Sequence, residues 1–126
     1  MSKNIRVLII EDNELNAIVL KEMLDIIGDK LNINFEVIEA DNLEDAFAII
    51  KEGNLDLILS DIELPDGSGE KIIKILEDLS LEIPVIAVTA FGLVGDKERF
   101  LFKGFNDYIS KPISLDEFME VVKKYV

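Results

Sequence analysis

Apolar runs and amphipathic stripes alternate along the whole chain. Residues 5–10, Ile-Arg-Val-Leu-Ile-Ile, form a short apolar run with β-rich composition. Leu20, Leu24 and Ile27 then recur at i, i+4 and i+7, the spacing of one helix face. That pattern predicts a first strand at 5–10 and a helix at 14–27, with Gly28 as its stop. Residues 35–39 read as a second strand. Residues 43–52 read as a helix, with Asn42 as N-cap, Asp45 three residues on, and Gly53 at the end. The third strand is expected at 55–60. Residues 68–79 follow as a helix with Ile72, Ile75, Leu76 and Leu79 on one face. A fourth strand at 84–88, a short helix at 95–103 stopped by Gly104, and a fifth strand at 106–109 come next. Residues 114–125 close the chain as a helix, Ser114 and Glu117 making a capping box. Residues 29–34 are mostly polar and read as a surface loop.

Strands alternating with helices point to repeated βα units and a parallel sheet. Crossovers of this kind are right-handed. The expected architecture is α/β and flavodoxin-like, a (βα)5 three-layer sandwich whose five parallel strands run in the order 2-1-3-4-5. The first and third strands are then neighbours at the switch point, where open α/β sheets bind ligands. No internal repeat or linker interrupts the 126 residues, so one domain spanning 1–126 is expected.

Four of the strands end on residues suited to phosphoryl chemistry. The first ends on Glu11-Asp12, the third on Asp61, the fourth on Thr89 and the fifth on Lys111-Pro112. Parallel strands bring these ends to one edge. Clustered carboxylates repel one another unless a cation or Lys111 neutralises them. A carboxylate such as Asp61 is a competent nucleophile toward phosphorus. Mg²⁺, or Mn²⁺ in its place, binds through one or two carboxylates with phosphate oxygens and water. Asp12 is the natural direct ligand, with Glu11 direct or through water. Lys111 and Thr89 are placed to meet phosphoryl oxygens. Each element alone has a plainer reading: an acidic pair caps helices, Asp61 starts a turn through Pro65 and Gly67, and a surface lysine is ordinary. Agreement among four strand ends carries the inference.

Composition narrows the function further. The formal charge of −13 opposes nucleic-acid binding, which needs a basic footprint, and opposes an anionic membrane surface. No apolar stretch approaches the length of a membrane span, and no signal-peptide core is present at the N-terminus. The chain has no Cys and no His. Disulfides, thiolate or imidazole zinc sites and Ser/His/Asp chemistry are therefore excluded. A cytoplasmic location is the simplest expectation.

The stretches VLIIEDNELN, DLILSDIELPDGSG, IPVIAVTAFG and NDYISKPIS resemble those of bacterial two-component response-regulator receiver domains, and the resemblance covers essentially the whole chain. It implies that Asp61 is the phospho-acceptor, that Glu11 and Asp12 are metal-binding acids, and that Thr89 is the switch hydroxyl. It implies that Lys111 contacts phosphate ahead of a cis Pro112, and that Tyr108 is the switch aromatic. The backbone carbonyl of Glu63 matches a main-chain metal ligand, and Ala90 the small residue that leaves room for the phosphoryl group. The chain departs from the family at three places: 29–34 looks longer than usual, Val94 stands where many relatives carry Lys, and Phe102 stands where a polar residue is usual.

The resemblance also implies partners. A histidine kinase or histidine phosphotransfer protein would supply the phosphoryl group, because this chain has no His, and a downstream protein would read the switched state. Leu15 and Val19, one turn apart and off the core stripe, are expected to form an apolar patch for the donor. Phe102 is a candidate output-surface residue. Phe91, two after Thr89, is expected to border the approach of water to the phosphoryl group together with Glu63, and to limit its loss. A chain that promotes only its own phosphorylation and dephosphorylation is not an enzyme on an external substrate. The alternatives are an aspartyl-nucleophile phosphatase, to which the spacing of Glu63 from Asp61 is suited, a flavin-binding protein, which the Glu11-Asp12 pair opposes, and an unphosphorylated interaction module. A stand-alone regulator is expected rather than a fragment of a longer one.

Overall fold

Buried apolar runs too short for helices become the strands of a parallel sheet sealed on both faces. In the computed structural model, which describes residues 3–90 and 96–126, β1 (Lys3–Ile10), β2 (Ile33–Ala40), β3 (Leu57–Ser60), β6 (Val85–Thr89) and β7 (Asp107–Ser110) form it. Of Asp96, Lys97 and Phe102 only the backbone is described. The strand order is β2-β1-β3-β6-β7, all parallel. This is the expected 2-1-3-4-5 arrangement. The remaining strands, β4 (Glu63–Leu64) and β5 (Gly67–Ser68), make a small antiparallel hairpin after β3.

Alternation of side chains along each strand divides the core in two. Val7, Ile9, Leu57, Leu59, Ile86, Val88 and Ile109 face one side. There they meet Leu20, Leu24 and Ile27 of α1 (Glu14–Leu31) and Phe118, Val121 and Val122 of α5 (Leu115–Lys123). Leu8, Ile10, Ile58, Val85, Ala87 and Tyr108 face the other side. They pack on α2 (Leu43–Glu52), α3 (Glu70–Asp78) and α4 (Asp96–Phe102). Burying one such Leu or Ile is worth about 1.5–3 kcal/mol, so this two-sided pattern fixes register.

Three expectations need correction. Gly28 does not stop α1. It is buried inside the helix, where a Cβ would press on the Ile33 carbonyl oxygen. The small residue lets α1 lie against β2, and the helix runs on to Leu31. It stops at Asn32, whose φ of 57° and ψ of 49° put it in the left-handed region, a conformation Asn tolerates. The stretch 29–34 is thus no loop, and no extended loop separates α1 from β2. Second, the helix expected at 68–79 starts only at Glu70, because the hairpin takes up Gly67 and Ser68. Leu79 lies past its end and is exposed, while Ile73 is buried in its place. Third, Leu55 and Asp56 fall before the strand, and β3 begins at Leu57. The other ends agree to within two residues. The Asn42 and Ser114 caps form as expected, accepting from the backbone N–H of Asp45 and of Glu117.

Candidate functional site

β1 and β3 are hydrogen-bonded neighbours, with Ile10 opposite Ser60. Their next residues therefore emerge side by side at the carboxyl edge of the sheet. Glu11, Asp12 and Asp61 each offer a carboxylate oxygen, and these oxygens lie within 4.8 Å of one another. An open concavity of about 550 Å³ surrounds them, lined also by Asn13, Asn16, Glu63, Thr89, Ala90 and Lys111. Glu11 and Asp61 are buried, and Asp12 is exposed.

Each carboxylate has a fixed attitude. Asp61 Oδ1 accepts from the backbone N–H groups of Ile62 (2.6 Å) and Glu63 (3.3 Å). Its Oδ2 accepts from Lys111 Nζ at 3.1 Å. Glu11 Oε2 accepts from the same ammonium at 2.8 Å. Glu11 Oε1 accepts from the Asn13 backbone N–H at 3.2 Å and from the Asn16 side-chain amide at 3.4 Å. Burial raises the Glu11 carboxyl above its ordinary range; the Lys111 hydrogen bond opposes this, and the Asp61 charge adds to it. Burial works against the Lys111 ammonium, yet its hydrogen bond to Glu11 and the charge of Asp61 outweigh that and raise its pKa. The cluster is thus a set of hard oxygen donors carrying more negative than positive charge. It fits a divalent cation that prefers oxygen ligands.

Backbone geometry holds the lysine and the acceptor in place. The peptide between Lys111 and Pro112 is cis. The Lys111 N–H donates to the Thr89 carbonyl oxygen at 2.9 Å. After Asp61 the chain turns through the β4–β5 hairpin, and the Gly69 N–H donates back to the Ile62 carbonyl oxygen at 2.7 Å. A Cβ at Gly69 would overlap the Asp61 carbonyl oxygen, so only glycine lets α3 start this close to the acidic turn.

Thr89 is buried at the end of β6. Ala87 pairs with Tyr108 and Thr89 with Ser110, so Thr89 and Tyr108 share one face of the sheet. The Tyr108 ring is buried and stacked on Phe100, with centroids 5.4 Å apart and planes 13° from parallel. The ring lies in the core against α4. Leu15 is 68% exposed and Val19 half-buried on α1. Ile18 adds to their exposed apolar surface at 40%. Phe91 and Val94 lie outside the described residues, as does the side chain of Phe102.

Two features escaped the sequence. Asp66, at the turn of the hairpin, accepts from the backbone N–H groups of Leu43 (2.8 Å) and Glu44 (3.1 Å). It caps α2 from a distant segment, and no local spacing signals that. Asn13 is the N-cap of α1, accepting from the Asn16 N–H at 2.9 Å. The Asn13-x-x-Asn16 spacing was visible beside the acidic pair.

Comparison with known proteins gives one consistent answer. Residues 7–123 match the family described as response regulator receiver domain. The chain is 43% identical over 122 residues to the polar-differentiation response regulator DivK of Brucella anthropi, covering 95% of this chain and 94% of that one. Among solved structures it resembles the receiver domain of Ssk1 from Saccharomyces cerevisiae, crystallised with the histidine phosphotransfer protein Ypd1. The TM-score is 0.80 and the identity 31%, over 99% of this chain and 90% of that one. It also resembles the receiver domain of the sensor histidine kinase PA1611 from Pseudomonas aeruginosa, which holds a magnesium ion in its active-site cleft. There the TM-score is 0.79 and the identity 28%, with 97% of each chain covered.

Proposed function

The chain belongs to the response regulator receiver domain family of two-component signalling, and from that premise we propose that Asp61 accepts a phosphoryl group from a phosphohistidine donor. The observation that carries this reading is Lys111 Nζ bridging Asp61 and Glu11 inside a cluster of three acids. An Asp61 oxygen attacks phosphorus; the P–O bond forms as the P–N bond breaks, and the donor imidazole leaves with the bonding electron pair. Lys111 meets an oxygen of the incoming group, and Thr89 donates its hydroxyl to another. The metal, Mg²⁺ or Mn²⁺, held by Glu11, Asp12, Asp61 and the Glu63 carbonyl, supplies charge neutralisation for the transfer. The residues themselves position and shield.

Phosphorylation adds charge and acceptor oxygens beside Thr89. Movement of Thr89 toward them frees volume on the face it shares with Tyr108, and biases the surface built by α4, β7 and α5. The donor is a histidine kinase or histidine phosphotransfer protein, docking over Leu15, Ile18 and Val19. The reader of the switched state is a downstream protein. The whole of 1–126 acts as one receiver domain in the cytoplasm. Among the described residues no helix is long and apolar enough to cross a membrane. The domain turns over no external substrate.

The test is chemical. Labelling by acetyl phosphate should require Mg²⁺ and be removed by hydroxylamine, which cleaves acyl phosphates. A hydroxylamine-stable label would place the phosphate on a hydroxyl and contradict the reading.

A further inference from the structure

Glu11 divides its two oxygens between different tasks. Oε2 faces Lys111 and the acidic cluster. Oε1 faces the start of α1, where the Asn13 N–H and the Asn16 amide both donate to it. Asn16 is itself anchored, because its own N–H is held by the Asn13 side chain at 2.9 Å. Asn16 is half-buried and lines the same concavity as the acids. A helix surface residue at this position needs no amide for folding; the helix is already capped by Asn13.

We propose that Asn16 is a positioning residue for the metal site: its side-chain amide holds Glu11 Oε1 so that Oε2 alone is presented to the cation. This rests on the reading of Glu11 as a metal-binding acid. Buried carboxylates without such a tether rotate about their last torsion, a broad and weakly restrained one. Without the Asn16 amide, Oε1 keeps only the Asn13 N–H at 3.2 Å, and the cation meets a less firmly oriented Glu11. Outer-shell hydrogen bonds of this kind are worth about 10–100-fold in metal affinity when lost. The 3.4 Å separation places Asn16 at the lower end.

The experiment titrates the whole chain with Mg²⁺ alone, by calorimetry, with no phosphoryl donor present. Asn16→Leu keeps the branched shape, with more volume, and removes the donor; Asn16→Ala removes both. Tyr125→Phe serves as a stability control. Its hydroxyl donates to the Asn106 carbonyl oxygen and to Asp107, at the opposite edge of the sheet. Both Asn16 variants should bind Mg²⁺ about tenfold more weakly than wild type, and Tyr125→Phe should bind as wild type does. Acetyl-phosphate labelling of the Asn16 variants should reach the wild-type maximal rate once Mg²⁺ saturates. Wild-type affinity in both Asn16 variants would overturn the proposal and leave the site itself standing. Equal weakening in Tyr125→Phe, or a labelling rate that stays low at saturating Mg²⁺, would also overturn it. No Mg²⁺ binding by wild type would remove the metal-site reading and the proposal together.

Discussion

The ammonium of Lys111 lies 3.1 Å from Oδ2 of Asp61, so the end of β7 neutralises the end of β3 across the intervening strand. The same nitrogen holds Glu11. Removing it strands two buried carboxylates. Lys111→Met should therefore lose about 1–3 kcal/mol of stability in chelator. Mg²⁺ should recover part of that loss, because a ligand of the native state alone stabilises it. Chemical denaturation with and without Mg²⁺ checks this; a variant as stable as wild type in chelator contradicts it.

Asp12 is the exposed member of the acidic cluster, close enough to the others to repel them. Asp12→Asn should raise the melting temperature in chelator and weaken Mg²⁺ binding. Thermal melts paired with Mg²⁺ titration separate the two effects. A lower melting temperature without metal would show that repulsion is not what governs the site.

Asp66 makes the stability of the fold depend on acid. Its hydrogen bonds from the Leu43 N–H first, then the Glu44 N–H, hold its carboxyl below the ordinary value. A depressed folded-state value means the unfolded chain binds the proton more readily. The contribution is complete above about pH 4, the ordinary Asp value, and is lost as pH falls through the lower folded value. Wild type should melt above Asp66→Asn at pH 7, and the gap should close as pH falls below the ordinary Asp value of about 4. A gap independent of pH would mean the charge contributes nothing to the cap.

Leu15 presents most of its side chain to solvent and does not line the acidic concavity. Leu15→Lys should slow phosphotransfer from a cognate phosphohistidine protein by about tenfold, roughly 1.4 kcal/mol. Labelling by acetyl phosphate should be unchanged. Equal loss from both donors would mean the pocket itself is disturbed.

The sheet was legible because both of its faces are buried. Val7, Ile9, Leu57, Leu59, Ile86 and Val88 must all be apolar, and such runs stand out. The four strand ends were legible because a parallel sheet brings them to one edge regardless of loop detail. Short-range chemistry was also readable, as at Asn42 and Ser114, where cap and capped N–H are three residues apart. Gly28 misled because a glycine that serves close packing looks the same in sequence as one that ends a helix. Asn32 ended the helix instead, and Asn in the left-handed region leaves only a weak mark. Long-range polar contacts left no mark at all. Asp66 reaches α2 from 23 positions away along the chain. Asp107, buried at the start of β7, holds Lys124 and Tyr125 of the C-terminal segment. Such pairs become visible only once the chain has folded.

The central claim is that a single carboxylate, Asp61, takes the phosphoryl group. Intact-mass measurement after incubation with acetyl phosphate and Mg²⁺ tests it most directly. Wild type should gain the mass of one phosphoryl group, and Asp61→Asn, treated identically and shown folded by circular dichroism, should gain none. Undiminished labelling of folded Asp61→Asn would contradict the account.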